Sequence, residues 1–148
     1  MKAVADMNPQ EIAEASANAM WNDDAASQRL GMSLDHIAPG HATLSVTVTE
    51  AMSNGHGNCH GGYLFTLADS AFAFACNSYK RTTVAAGAEI RFRRPTRLGE
   101  ELVASAVERS REGRDGVYDV TVVVGGTVVA EFVGRSREIG GAIVEEQP

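Results

Sequence analysis

The stretch His56-Gly57-Asn58-Cys59-His60-Gly61-Gly62, followed by an apolar run from Tyr63 to Tyr79 that holds a single carboxylate, Asp69, constrains this chain more than any other part of it. It reads as a glycine-rich loop feeding a buried helix. The run is rich in Ala, which favours helix over strand, and apolar on most of its circumference, as expected of a helix enclosed by other structure. Its polar members follow one rule. Thr66, Asp69, Ser70 and Asn77, with small Ala73 between them, are spaced to form one narrow stripe. Such a stripe can line a crevice while the remaining circumference packs.

A loop that delivers free backbone N–H groups to a helix N-terminus makes a site for an anion or a developing oxyanion. Asp69 is the second player, because a carboxylate in an apolar helix must be paired, hydrogen-bonded or shifted in pKa. Two readings compete: an acid that caps a loop or meets an arginine of the sheet, and an acid that acts. Its place on the polar stripe behind the glycines favours the second. The spacing then sets a condition. Gly61 and Gly62 precede Asp69 by eight and seven residues, so at about 1.5 Å of rise per residue the acid lies roughly 10 to 12 Å along the axis. One substrate carbonyl cannot span that gap. If both features serve one reaction, two copies of the helix must lie antiparallel across a two-fold axis, which predicts a dimer with two equivalent sites.

Around this centre the chain alternates in pattern. Asn8-Pro9-Gln10-Glu11 is a helix start, with a capping Asn, Pro in the first position and an early acid, and predicts a helix to about Met20 or Trp21. A shorter helix from Asp23 to Arg29, closed by Leu30-Gly31, completes a flank outside the core. Strands are predicted over Met32–Ile37 and His41–Thr49 around a Pro39-Gly40 turn; Ala42, Leu44, Val46 and Val48 alternate with polar neighbours. After the helix, Thr83–Arg94, Leu102–Arg111, Val117–Val124 and Thr127–Arg137 read as further strands. Arg114-Asp115-Gly116 and Gly125-Gly126 are hairpin signals, so the last three form an antiparallel meander. Two strands, one buried helix and more strands without regular β-α alternation give an α+β fold with the helix on one face of an antiparallel sheet. The divisions are a helical flank over 1–31, one domain over 32–138 and a loose tail over 139–148.

The chain has 148 residues and 44% hydrophobic composition, enough for a core without disulfide or metal staples. Two cysteines, Cys59 and Cys76, match no disulfide framework and fit a reducing compartment; with no signal-peptide core and no apolar span, a cytoplasmic location is expected. A net charge of −6 argues against sequence-independent nucleic-acid binding, and no membrane partner is expected.

Asn54-Gly55-His56-Gly57-Asn58-Cys59-His60-Gly61-Gly62, then Leu67-Ala68-Asp69-Ser70-Ala71-Phe72, Ala75-Cys76-Asn77-Ser78, Ile90-Arg91-Phe92, Arg94-Pro95 and Leu98-Gly99-Glu100, closely resemble the hotdog-fold acyl-CoA thioesterases of the PaaI type. The resemblance covers about Met32 to Glu131. Ser70 stands where relatives often have Thr and keeps the hydroxyl. The resemblance implies a long helix wrapped by a five- to six-stranded antiparallel sheet and hydrolysis of acyl-CoA thioesters without metal or other cofactor. It also implies dimers with sites at the helix interface that commonly pair into tetramers. Carried over by position, Asp69 is general base or nucleophile and the Gly61 N–H polarises the carbonyl. Asn54 and His60 help position water, carbonyl or loop, and Ser70 supports the acid. Gly62, Tyr63, Thr66, Arg91 and Arg94 are the expected substrate contacts, and aryl-acetyl-CoA is the leading substrate class.

Other readings stand beside it. His56, Cys59 and His60 supply too few ligands at a persuasive spacing for zinc. Cys59 has no committed base, and loop packing is its ordinary role. Arg91, Arg93, Arg94 and Arg97, with Lys80 and Arg81, are the one basic concentration of an acidic chain; they form a solvated or intersubunit face, or they hold CoA phosphates. Tyr63, Phe65, Phe72 and Phe74 are first of all core candidates, with Tyr63 placed to meet an acyl ring. A thioesterase of the same fold for other aromatic or medium-chain acyl-CoAs, an acyl-CoA binding protein without turnover and a hydratase of the same fold are the alternatives.

Overall fold

The computed structural model describes residues 2–145. After a short 3₁₀ turn come α1 (Pro9–Asp23) and α2 (Ala25–Arg29), β1 (Ser33–Ala38) and β2 (His41–Thr47), then α3 (Gly61–Cys76). Four long strands follow: β3 (Arg81–Phe92), β4 (Glu101–Glu112), β5 (Asp115–Val124) and β6 (Thr127–Ala142). All pairings are antiparallel, in the order β1-β2-β4-β5-β6-β3. The pattern's α+β fold, with a helix on one face of an antiparallel sheet, is present, and the sheet has six strands, the upper of the five to six that the resemblance implies. No helix among the described residues is long and apolar enough to cross a membrane.

The register explains why the helix lies where it does. Leu44, Ala104, Val122, Ala130 and Phe92 are successive partners across five strands, and Ala42, Ala106, Val120, Phe132 and Ile90 form a second row beside them. Both rows point to one face, because partners in register share a side of the sheet. Small Ala104 and Ala106 at the centre leave room for the buried side of α3: Leu64, Leu67, Ala68, Ala71, Phe72 and Ala75. Gly134 completes the fit, since a Cβ there would lie 2.6 Å from the Phe72 ring. Phe72 is thereby seated against Tyr118 and Phe132, with ring centroids 5.6 and 5.9 Å away.

Local starts and stops follow the residues that cause them. Asn8 and Glu11 form a reciprocal capping box at α1. Asp24 caps α2 by accepting from the Ser27 amide. Gly40 turns β1 into β2 at φ +70°, where a Cβ would also strike the Tyr79 hydroxyl at 2.9 Å.

Four expectations change. The central helix begins at Gly61 and ends at Cys76, because His60 caps it early and Asn77 ends it: the Asn77 amide side chain accepts from Thr83 N and donates to Thr83 O, tying the helix exit to β3. The β4-β5 turn is Gly113-Arg114, one residue before the expected signal, with Glu112 opposite Asp115. The loose tail begins later than 139, because β6 continues to Ala142, which pairs with Arg81; the part of that tail at 146–148 lies outside the described residues. The N-terminal flank also joins the core, with Ala17 buried in it and Trp21 6.2 Å from Phe74.

Candidate active site

The loop before α3 is organised by Asn54. Its Oδ1 accepts from the amides of His56 at 2.9 Å and Asn58 at 3.2 Å, and its own amide donates to Asn58 O at 2.7 Å. Cys59 N then donates to Thr96 O, and His60 N donates to Met52 O, both at 2.7 Å. These bonds fix the point at which the helix opens.

His60 is the N-cap: its Nδ1 accepts the Gly62 amide proton at 3.1 Å. The neutral ring therefore carries its proton on Nε2. Gly62 N–H is thus taken up. Gly61 N–H, the first of the helix, has no acceptor outside the helix among the described residues. Tyr63 meets the His60 ring edge-on at 6.4 Å, and the Thr66 hydroxyl donates back to Gly62 O at 2.8 Å. A surface cleft of about 500 Å³ opens beside Gly61, with Asn54, Leu64, Phe92, Arg94 and Thr96 in its wall. The Phe92 ring lies so near Gly61 that a Cβ there would be 2.9 Å from it.

Two turns along, Asp69 is half-buried. Among the described residues no hydrogen bond or ion pair reaches its carboxylate, and the arginine partner of the structural reading is not found among them. Burial pushes its pKa up from the ordinary aspartate value. Ser70 does not pair with Asp69; its Oγ lies 2.9 Å from Ser27 Oγ on α2.

The structure gathers Asn54, His60, Gly61, Gly62, Tyr63 and Arg94 at the helix start and leaves Asp69 and Ser70 further along the helix. Arg91 is separated from Arg94: it lines a hollow with Glu89, Glu131 and Val133 on the other face of the sheet from Ile90. Arg93, two residues on, pairs with Glu131 at 3.2 Å. Cys59 is buried, which raises its thiol pKa and works against a thiolate nucleophile. His60 Nδ1 is engaged by the helix, and among the described residues no three His, Cys, Asp or Glu side chains gather as a metal site.

Three residues escaped the sequence reading. Phe92 carries the right inward parity, but its place over Gly61 depends on where β3 ends. Ser27 and Thr96 carried no local signal, since each acts through a contact distant in sequence.

The model of the thioesterase superfamily matches residues 56–131. The chain belongs to that superfamily. It is a thioester hydrolase of the PaaI type. The acyl-coenzyme A thioesterase PaaI of Escherichia coli K12 is 44% identical over 132 residues, covering 88% of this chain and 94% of that one. The solved structure of the E. coli PaaI protein from the phenylacetic acid degradation operon superposes with a TM-score of 0.89 at 42% identity, covering 91% of this chain and 99% of its own. A point variant of the phenylacetic acid degradation protein PaaI from Thermus thermophilus gives 0.76 at 37% identity over 78% of this chain and 100% of its own. The thioesterase resemblance and the sheet-wrapped helix both hold.

Proposed function

We propose that this thioesterase hydrolyses aryl-acetyl-CoA, phenylacetyl-CoA or a ring-hydroxylated relative, to the free acid and CoA. The acyl class is supported by the phenylacetic acid degradation relatives. The observation that carries the mechanism is the pairing on one helix of an unengaged N–H at Gly61 with an unpartnered, half-buried carboxylate at Asp69.

In the reaction an oxygen nucleophile attacks the thioester carbon, the carbonyl electron pair moves onto oxygen, and Gly61 N–H donates to that oxyanion. Collapse re-forms the carbonyl and breaks the C–S bond. The thiolate is a good leaving group and takes a proton from solvent. Asp69 serves either by taking the proton of an attacking water or by attacking directly, in which case water cleaves the resulting anhydride. Raised proton affinity suits it to the first role. Arg94, at the rim of the cleft, is placed to meet a CoA phosphate.

The two groups are about 12 Å apart along one helix, so the site is completed by Asp69 from a second copy. Strand β3 supports such a dimer. It is an edge strand, and Val84, Ala85, Ala86, Gly87 and Ala88 are all exposed along it, a run without charge to deter pairing. The expected dimer-of-dimers rests on the family resemblance alone.

The test is release of free thiol from aryl-acetyl, benzoyl and straight-chain acyl-CoA by wild type and Asp69→Asn. Wild type should favour aryl-acetyl-CoA, and the variant should lose about 100-fold or more of kcat. Equal rates for the two proteins would remove Asp69 from the mechanism.

A further inference from the structure

Two hydroxyls connect the N-terminal flank to the helix that carries Asp69. Ser27 on α2 is buried, and its Oγ lies 2.9 Å from Ser70 Oγ on α3. The same Ser27 hydroxyl donates to Asp24 Oδ2 at 2.7 Å, while the Ser27 amide donates to Asp24 Oδ1 at 3.0 Å. A hydroxyl has one proton to donate, and a carboxylate only accepts. The Ser27 proton is therefore committed to Asp24. The contact between the two serines must use the proton of Ser70, which gives the chain one direction, from Ser70 to Ser27 to Asp24. Ser70, next to Asp69 in the polar stripe, then meets its remaining neighbours with lone pairs alone.

We propose that Asp24 and Ser27 are positioning residues of the thioesterase site: by drawing off the Ser70 proton they make Ser70 an acceptor toward the crevice. It can then orient a donor, such as the attacking water, while withholding a hydrogen bond from the Asp69 carboxylate. The inference rests on the reading of Asp69 as the acting group. A hydrogen bond donated to a carboxylate stabilises its charged form and weakens it as a base. Among the described residues no donor reaches the Asp69 carboxylate from elsewhere. Burial alone moves Asp69, with no charged side chain of the strands or of α1 contributing. The Cys76 thiol on its own helix feels its field, and Asp24 of α2 stands two hydroxyls away.

Two variants of the full chain test the direction of the relay. In Asp24→Asn the side-chain oxygen keeps the cap on the Ser27 amide, and Asn is as good a cap as Asp. The Nδ2 group then faces Ser27 Oγ and donates, so the relay reverses and Ser70 donates toward Asp69. Ser27→Ala releases the Ser70 proton without changing a charge. The readouts are the pH dependence of kcat/KM and the ¹³C titration of the Asp69 carboxyl, assigned by its loss in Asp69→Asn.

Both variants should move the Asp69 titration and the acid limb to lower pH and lower the plateau kcat about fivefold, the worth of one hydrogen bond. Adding Ser70→Ala to Asp24→Asn should return the Asp69 titration to its original position. An unmoved titration in both variants overturns the relay. So does a shift that persists without the Ser70 hydroxyl, because loss of the Asp24 charge would then explain it. If Asp69→Asn keeps the wild-type rate while the titrations move as expected, the fault lies with the role of Asp69 and the relay stands.

Discussion

His60 Nδ1 accepts the amide proton of Gly62, and the Gly61 amide one residue earlier has no acceptor outside the helix among the described residues. The two glycines are therefore not equivalent. Gly61 is the first helical residue, where proline is tolerated because the N–H has no helical acceptor. His60, at φ −63° and ψ 133°, already has the extended backbone a following proline requires. Gly61→Pro should remove the oxyanion donor and keep the helix, lowering kcat about 100- to 1,000-fold with little change in urea midpoint. The nearest side chain in the way is the exposed Phe92 ring, 2.9 Å from where a Cβ would stand. Unchanged kcat in a folded Gly61→Pro would rule out the Gly61 amide as the donor.

Asp69 ties stability to pH. Its folded-state pKa is raised by burial, so the folded chain binds its proton more tightly than the unfolded chain does. Its effect on stability is most favourable below the ordinary aspartate range and is lost as pH rises through the raised folded value. Asp69→Asn should therefore be more stable than wild type at neutral pH, with the advantage shrinking as pH falls. On the proposed mechanism activity runs the other way, since Asp69 acts in its ionised form whether as base or as nucleophile. Urea titrations and thiol-release rates over one pH series will show whether the two curves cross as expected.

Gly134 and Phe72 make a second matched pair. A methyl group on Gly134 would enter the Phe72 ring space at 2.6 Å, and that ring is held by Tyr118 and Phe132. Gly134→Ala should cost about 1–3 kcal/mol of overpacking. Phe72→Leu in the same chain should recover part of it. Chemical denaturation of the single and double variants measures the coupling, and additive losses would mean that the two residues do not compete for space.

Shared sites make a prediction that no single-chain site makes. Chains carrying Gly61→Pro keep Asp69, and chains carrying Asp69→Asn keep the Gly61 donor. Mixing and reassembling the two should restore thiol release in hybrid dimers, each of which holds one intact pair. Sedimentation of the wild type should show a dimer or a larger even assembly. An active monomer, or hybrids as inert as their parents, would dismiss the shared site.

The alternation of Ala42, Leu44, Val46 and Val48 made β2 legible, and each of the four is buried. The glycines and the polar stripe likewise marked both ends of the candidate site. Legibility failed where a residue acts through a distant partner. Ser27 is one polar residue of a short helix until α2 packs on α3, and Arg91 and Arg94 look alike until β3 turns them to different surroundings. The end of β6 was missed for the same reason. Gly140 and Gly141 suggest a frayed end, yet Ala142 finds a ladder partner in Arg81.

Strand β3 touches both ends of the central helix: Asn77 grips Thr83 near its start, and Phe92 at its finish covers Gly61. Thr83 to Phe92 spans about 30 Å as strand, and the helix is about 24 Å long. The irregularity between Ala85 and Gly87 falls between the two anchor points. The strand thus works as a caliper on the helix, with one jaw at each end and the bulge as its adjustment. Deleting one residue from it would shift the Phe92 jaw relative to the Gly61 opening while Asn77 held the other, altering the mouth of the cleft from a position that touches no substrate.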